Sequence, residues 1–241
     1  MIKLEHVSKE FTKGIRVVDD VNLEVLPGEI FGFIGPNGAG KTTTIKMITG
    51  ITDFDEGRIT VAGKDIQEEA LEAKRQFCYV ADSPDIFLRL KGIEYLNFMG
   101  TIYAVPVEKR KEKIKELTEK FEIADALNNK IQSYSHGMRQ KLIITGALLA
   151  EPKIWILDEP MTGLDPKSSF LLKEMMREHA AKGFSVFFST HVLEVAEKLC
   201  DRIGIIDKGK LLFVGTIAEL KEKYASSGSL ESVFLEITKN A

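Results

Sequence analysis

The pattern of hydrophobic and polar positions changes twice along the chain, and its first part predicts strands. Apolar and polar residues alternate at positions 2–6 and again at 21–25, as expected of two half-buried strands. The run Ile30–Ile34 is continuously apolar, which is typical of a central parallel strand covered on both faces. A glycine-rich turn follows this run, and Lys41–Ile48 beyond it is compatible with a helix.

A second pattern predicts helices, because apolar residues recur every three or four positions from about residue 83 to residue 150. One apolar stripe passes through Leu96 and Ile102, and Pro106 ends it. Val107 begins a second stripe, on a helix whose other face is charged. We therefore expect residues 83–150 to form an inserted helical subdomain.

The third pattern begins after Pro152, where short apolar runs and helical stripes take turns. The apolar runs are of parallel-sheet type and cover residues 154–157, 184–189 and 203–206. A turn at 208–209 leads to a last strand, and residues 218–241 are predicted as a helical tail. This order of elements predicts an α/β fold, with a core formed by residues 1–82 and 151–217.

The composition excludes several classes of protein. With 44% hydrophobic and 29% charged residues among 241, the chain has a globular composition, so wholesale disorder is excluded. The formal net charge of −3 argues against a dedicated nucleic-acid binder, which would carry a basic face. The charged run at 108–122 is nearly balanced in sign, and we interpret it as a solvated helix face with pairs such as Glu116–Lys120.

The sequence also bears on the compartment of the cell. No stretch approaches the ~18 apolar residues of a membrane-spanning helix, and residues 1–9 lack the apolar core of a signal peptide. Cys78 and Cys200 are far apart and are interpreted as ordinary thiols in a reducing compartment. These features predict a chain that stays in the cytosol.

The glycine-rich turn fits the phosphate-binding pattern G-x-x-x-x-G-K-[ST], and the predicted strand and helix flank it as the pattern requires. Its candidate nucleotide-binding residues are Gly35, Pro36, Asn37, Gly38, Ala39, Gly40, Lys41, Thr42 and Thr43. Glycines let consecutive backbone N–H groups converge on phosphate oxygens at the positive end of the helix. Lys41 is placed to meet the β- and γ-phosphates, and the Thr42 hydroxyl to ligate Mg²⁺. We therefore predict a purine nucleotide site.

Two carboxylates directly follow the apolar run at 154–157. Asp158 would hold Mg²⁺ directly or through water, and Glu159 would polarise a water near the γ-phosphate. On their own, two acids after a strand are more often a loop cap, but the phosphate loop favours the functional interpretation. His191 follows another strand, where a histidine usually packs or starts a helix, and a γ-phosphate contact is the alternative.

Ser135 stands before a helical run, and its default interpretation is a helix N-cap. The exposed end of such a helix can also accept an anion. Together with the phosphate loop and the acidic strand, this segment resembles the ATP-binding cassette of ABC transporters, and the resemblance covers nearly the whole chain. It implies that Ser135 and Gly137 belong to a signature motif, which contacts the γ-phosphate held by the phosphate loop of a second chain.

The resemblance implies a P-loop NTPase (RecA-like) fold, in which an N-terminal antiparallel β subdomain and an inserted α-helical subdomain flank a parallel-sheet core. It also implies roles for single residues. Asp165 would lie in the D-loop at a dimer interface, and Phe11 would stack on adenine. Glu159 would be the catalytic glutamate, His191 the switch histidine and Lys41 the phosphate-binding lysine.

The chain departs from the pattern of that family at four positions. His136 and Met138 replace the usual glycine and glutamine of the signature, and Met161 stands where a small polar residue is common. Asp82 stands in place of a glutamine that usually contacts Mg²⁺ and water. We hypothesise that Asp82 still serves the metal but alters coupling to a membrane subunit. The alternative is that the loop is shifted and Asp82 is merely exposed.

The leading hypothesis is an ATP-hydrolysing subunit that uses ATP and Mg²⁺ and forms a homodimer around two ATP molecules. It would drive a separate membrane permease from the cytoplasmic face of the membrane, for export, without binding nucleic acid. Three alternatives are a soluble ABC protein of translation or DNA repair, a small-molecule kinase, and a regulator with an inactive site. The single cassette disfavours a soluble ABC protein of translation or DNA repair. The signature segment disfavours a small-molecule kinase. The presence of Lys41, Asp158 and Glu159 disfavours the third.

Overall fold

A computed structural model describes residues 1–85, 87–224 and 230–239. The strands are β1 (Ile2–Thr12), β2 (Ile15–Val25), β3 (Ile30–Ile34), β4 (Glu56–Val61), β5 (Lys64–Asp65), β6 (Phe77–Val80), β7 (Ile154–Leu157), β8 (Ser185–Thr190), β9 (Arg202–Asp207) and β10 (Lys210–Gly215). The helices are α1 (Lys41–Ile48), α2 (Ala70–Lys74), α3 (Gly92–Ile102), α4 (Val107–Lys120), α5 (His136–Leu148), α6 (Pro166–Ala181), α7 (Leu193–Leu199), α8 (Ile217–Lys223) and α9 (Leu230–Lys239). Short 3₁₀ turns lie at Ala124–Ala126 and Ile131–Ser133.

The central sheet has the strand order β10-β9-β3-β8-β7-β6. Strands β9, β3, β8, β7 and β6 are parallel to one another, and β10 pairs with β9 in the antiparallel direction. Every residue of β3, β7 and β8 is buried, because helices or the second sheet cover both faces. The predicted parallel-sheet core of an α/β fold is therefore confirmed.

A second, antiparallel sheet is built from the first part of the chain, in the order β2-β1-β4-β5. Ile2 lies in the middle of it, paired with Val25 on one side and Val61 on the other. The inward side chains of this sheet share a core with Phe31 and Phe33 of β3. The N-terminal antiparallel β subdomain expected from the resemblance is thus present.

Helices α3, α4 and α5 occupy most of the inserted segment and pack on one another. Leu96, Ile114 and Leu117 are buried there, and Lys120 Nζ donates to Glu116 Oε1 at 2.9 Å, as predicted for a solvated face. The prediction was wrong for Ile102 and Val107, which are 59% and 56% exposed. Ile102 is the last residue of α3 and Val107 the first residue of α4, so both lie at the turn between the two helices and away from the core.

The C-terminal helices α8 and α9 pack against the face of the central sheet that is opposite to the antiparallel sheet. Leu220, Leu230 and Val233 share an apolar cluster with Ile34 of β3 and Ile205 of β9. The predicted helical tail at 218–241 therefore agrees with the structure over 218–223 and 230–239. Its positions 225–229, 240 and 241 lie outside the described residues.

Two further expectations from the sequence concern the state of the cysteines and the presence of a membrane-spanning helix. Cys78 and Cys200 are both free thiols. Across residues 1–85, 87–224 and 230–239, no helix combines the length and apolarity needed to cross a membrane.

Candidate nucleotide-binding site

An open pocket of about 260 Å³ lies where β3, β6 and β7 end. It is lined by Val17, Asn37, Gly38, Gly40, Lys41, Thr42, Thr43, Asp82 and Glu159. All of these except Val17 were predicted as site residues. Carboxyl ends of parallel strands are where α/β proteins bind their ligands, because the loops there diverge toward opposite faces of the sheet.

The phosphate loop joins β3 to α1, with Gly40 as the N-cap of the helix. The turn between β9 and β10 supports this loop from behind, since Gly209 N donates to Ala39 O at 3.0 Å. The Lys41 ammonium lies inside the loop and donates to Gly35 O at 2.7 Å and to Pro36 O at 3.1 Å. Burial lowers the pKa of Lys41, and the nearby carboxylates of Glu159 and Asp158 oppose this effect.

Strand β8 lies between the strand of the phosphate loop and the strand that precedes Asp158. Its residue Ser189 therefore comes between the two. Ser189 Oγ donates to Asp158 Oδ1 at 2.5 Å and accepts a hydrogen bond from Glu159 N at 2.9 Å. The sequence reasoning missed Ser189. A signal was present, because Ser189-Thr190 ends an otherwise apolar strand, but the strand order was needed to place it.

Asp158 is fully buried, with 0% of its surface exposed. Burial raises the pKa of its carboxyl group, while hydrogen bonding from Ser189 and Thr42 opposes the rise. Among the described residues, Asp158 Oδ2 has no hydrogen-bond partner. A buried carboxylate oxygen without a partner is costly, and Asp158 directly precedes the pocket residue Glu159.

The Glu159 carboxylate connects two predicted site residues. Glu159 Oε2 lies 3.0 Å from His191 Nδ1, and Glu159 Oε1 lies 3.7 Å from Lys41 Nζ. The Glu159 backbone has a φ of 47°, a conformation that L-residues rarely adopt. This turn directs the side chain of Glu159 into the pocket, while the neighbouring Asp158 stays buried.

Asp82 is exposed and lies on the pocket. Its carboxylate is near enough to Asp158 and to Tyr79 to contribute to the raised pKa of both groups, although burial is the main cause. The structure thus brings Asp82 to the phosphate-binding residues, and its role toward a metal stays a prediction. Phe11 does not line the pocket: the residue is 62% exposed, and Lys9 Nζ lies 5.5 Å from the centroid of its ring.

The remaining predicted site residues do not line this pocket. Ser135 is the N-cap of α5 and accepts a hydrogen bond from Met138 N at 3.2 Å, as expected of its default interpretation. Gly137 lies in the first turn of the same helix. Asp165 is the N-cap of α6, where it accepts from Ser168 N and Ser168 Oγ, each at 2.8 Å. A single chain therefore brings together the phosphate loop, Asp158, Glu159 and His191, whereas Ser135, Gly137 and Asp165 do not line the pocket.

Comparison with known proteins supports one family. Residues 18–162 match the family model of the ABC transporter. The linearmycin resistance ATP-binding protein LnrL of Bacillus subtilis is 36% identical over 220 residues, which span 91% of this chain and 70% of that protein. The ABC transporter ATP-binding protein NatA of the same species is 33% identical over 239 residues, which span 98% of this chain and 97% of NatA.

A solved ATP-binding subunit of an ABC transporter has the same fold, with a TM-score of 0.93 and 32% identity over 99% of both chains. Fold, pocket and sequence similarity thus define a P-loop ATPase of the cassette type. The chain belongs to the ABC transporter family. Within that family it is the ATP-binding and ATP-hydrolysing subunit.

Proposed function

We propose that Glu159 is the catalytic carboxylate of this subunit, held between the phosphate-binding Lys41 and the switch histidine His191. The observation that supports this role best is the geometry of its two oxygens, one 3.0 Å from His191 Nδ1 and the other 3.7 Å from Lys41 Nζ. A carboxylate in this place can orient a water for attack on a phosphate held by Lys41. His191 would then hold Glu159 in the required orientation.

The residues of the pocket fit a magnesium ion. The described residues contain no group of three or more His, Cys, Asp or Glu side chains that could hold a metal alone. Mg²⁺ in nucleotide sites typically takes one or two protein ligands and phosphate oxygens, so such a group is not required. Asp158 Oδ2, buried without a partner, and the Thr42 hydroxyl are the proposed ligands, with Asp82 nearby. When bound, the ion would neutralise charge on the transferred phosphoryl group.

The residues that lie outside the pocket support a site shared between two chains. Ser135, Gly137 and Asp165 would meet the nucleotide of a second subunit, so that a homodimer encloses two ATP molecules. Phe11, exposed at the end of β1, is proposed as the stacking partner of adenine. Residues 1–82 and 151–217 would act as the nucleotide core, and residues 83–150 as the helical subdomain.

The ATP-binding subunits of this family work with membrane permeases, and we propose the same arrangement here. The helical subdomain would contact a separate permease at the cytoplasmic face of the membrane, as a peripheral subunit. Export is the proposed direction, because the similar protein LnrL is a resistance protein. The unusual signature Tyr134–Met138 also favours this direction.

Replacement of Glu159 by glutamine tests the proposed chemistry. The Glu159→Gln variant keeps the size of the side chain but removes the charge, so ATP should still bind while hydrolysis falls about 10²–10⁴-fold. With ATP and Mg²⁺, this variant should form a stable dimer, measured by light scattering after size-exclusion chromatography. Glu194→Gln is the matched control, because Glu194 forms an exposed ion pair with Lys198.

The control should hydrolyse ATP at the rate of the original protein. A Glu159→Gln variant that stays monomeric with ATP, or that keeps its hydrolysis rate, would contradict the proposed role.

A further inference from the structure

Three residues depart from the family pattern in the signature and after Glu159: His136, Met138 and Met161. All three lie at one contact within the chain. His136 and Met138 begin α5, and Met161 lies in the segment between Glu159 and α6. Met138 and Met161 are half-buried against the same apolar cluster. The His136 ring packs directly on Gly163. The departures therefore concern the contact between the signature turn, by which we mean residues 134–138, and the segment at 160–165.

At this contact the two backbones lie so close together that Gly137 and Gly163 have no room for a side chain. A Cβ atom on Gly137 would lie 2.6 Å from Gly163 O, and a Cβ on Gly163 would collide with the His136 ring. Real Cβ atoms do not approach other atoms this closely, and Gly163 also has a φ of 78°. The signature turn therefore lies directly on the segment that follows Glu159.

Two polar contacts of α5 join the same elements. Gln140 is buried, and its Nε2 donates to Pro160 O at 3.3 Å. Lys141 Nζ lies 2.7 Å from Asp165 Oδ2, and the Lys141 side chain is only 11% exposed. The ammonium of Lys141 is the main reason why the pKa of Asp165 lies well below its usual range. Contacts from residues 136–141 thus reach the segment from Pro160 to Asp165.

We infer that His136, Gln140 and Lys141 are positioning residues. They hold the signature turn of a chain against residues 160–165 of the same chain, the segment that follows the catalytic Glu159. This inference rests on the proposed function, in which Ser135 serves the nucleotide of the partner and Glu159 serves the nucleotide of its own chain. Loss of this contact would then displace the segment that follows Glu159 and lower the rate of hydrolysis, without a change in the phosphate loop.

The mechanical basis is the packing of α5. Gln140–Leu148 is buried throughout, so the helix cannot shift its first turn without moving its partners in the core. Pro160 directly follows Glu159, so a hydrogen bond to Pro160 O restrains the backbone at the catalytic carboxylate. Misplacement of a catalytic group by about 1 Å can reduce a rate by about 10²-fold. A small displacement of Glu159 should therefore lower the rate of hydrolysis by a measurable amount.

The experiment compares Lys141→Met and His136→Ala with the conservative Lys141→Arg variant in the full chain. Both disruptive variants should lower kcat about 10- to 100-fold, while the affinity of dilute, monomeric protein for ATP stays unchanged. Lys141→Arg should restore most of kcat, because it keeps the charge beside Asp165. Amide hydrogen exchange should rise at 160–165 in both disruptive variants and stay unchanged at 35–42.

Lys113→Met is the matched control, because Lys113 forms half-buried ion pairs with Glu116 and Glu151 away from the signature turn. It should keep both kcat and the exchange pattern. His136 is exposed, so His136→Ala tests the inference even if loss of the buried Lys141 charge unfolds the protein.

The outcomes separate the two proposals. If the original protein neither hydrolyses ATP nor dimerises with it, the proposed function fails and the inference fails with it. If the original protein does both, and His136→Ala and folded Lys141→Met match it in kcat and in exchange at 160–165, the inference alone is overturned.

Discussion

The two ends of the parallel sheet show how the same strands serve different purposes. At the carboxyl ends of β7 and β8 lie Asp158, Glu159 and His191; Glu159 lines the open pocket, and its Oε2 lies 3.0 Å from His191 Nδ1. At the amino ends lies His179, which is buried against Trp155 with ring centroids 4.2 Å apart. Both ends carry a histidine, but only one end combines it with a carboxylate and a phosphate loop.

The two histidines differ in their hydrogen-bond partners and in their exposure. His179 Nε2 lies 3.2 Å from Lys153 O, and burial lowers the pKa of its imidazole to about 4. It is a neutral packing residue at physiological pH. His191 is half exposed beside Glu159 and is therefore available to a ligand. A residue type alone thus does not identify a site, whereas its position at the carboxyl end of the parallel strands does.

The largest contrast is expected from replacing the histidine at the pocket. His191→Ala should lower the ATPase rate about 10²-fold or more, because Glu159 loses the group that orients it. Its thermal unfolding temperature should stay within about 2 °C of the original, since an exposed side chain contributes little to stability. Steady-state ATP hydrolysis and calorimetry measure the two effects. An unchanged rate would remove the proposed distinction between the two ends.

A smaller effect, on stability alone, is expected from the histidine at the other end. Because the pKa of His179 is about 4 in the folded protein and 6.5 ordinarily, only the unfolded chain gains a proton between these values. Stability contributed by the neutral ring is therefore complete above pH 6.5 and falls by about 3 kcal/mol as the pH drops to about 4.

The His179→Gln variant should lose most of this pH dependence in urea unfolding experiments, and the His191→Gln variant should keep it. If both variants show the slope of the original protein, burial of His179 is not its source.

The smallest expected effect compares two serines on the same strand. Ser189→Ala leaves Asp158 Oδ1 and Glu159 N without their common partner, which should cost about 1–3 kcal/mol of stability and weaken Mg²⁺-dependent ATP binding. Ser185 donates to Leu26 O at 2.9 Å at the amino end of β8. Ser185→Ala should cost a similar amount of stability with unchanged ATP affinity, measured by calorimetric titration. Equal ATP affinities for the two variants would contradict the assignment of Ser189 to the site.

The sequence predicted those parts of the fold in which local pattern and packing agree. The continuous apolar run Ile30–Ile34 is typical of a strand buried on both faces, and the phosphate loop after it followed from spacing. Strand β6 was missed, because a run of only four apolar residues carries no period that separates a short strand from part of a buried helix. Ile102 and Val107 were misplaced, since helical periodicity does not show where a turn bends the chain away from its core.

The candidate site was predictable to the extent that it is local in sequence. Lys41 and Thr42 belong to one short motif, and Glu159 follows one strand. Ser189 depends on the strand order, which places β8 between β3 and β7 and which no local pattern reveals. The packing of His136 on Gly163 likewise depends on how two distant loops meet.

The position of β3 in the sheet has a consequence for the synthesis of the protein. Ile30 pairs with Val186, about 150 residues later in the chain, and β9 on the other side is later still. At about 5–20 residues per second, the phosphate-loop strand leaves the ribosome about 8–30 s before its neighbours exist. During this interval its apolar edges are unpaired and prone to aggregation. The nascent chain therefore acquires its nucleotide site late, and any chaperone that shields it must act before the last third is made.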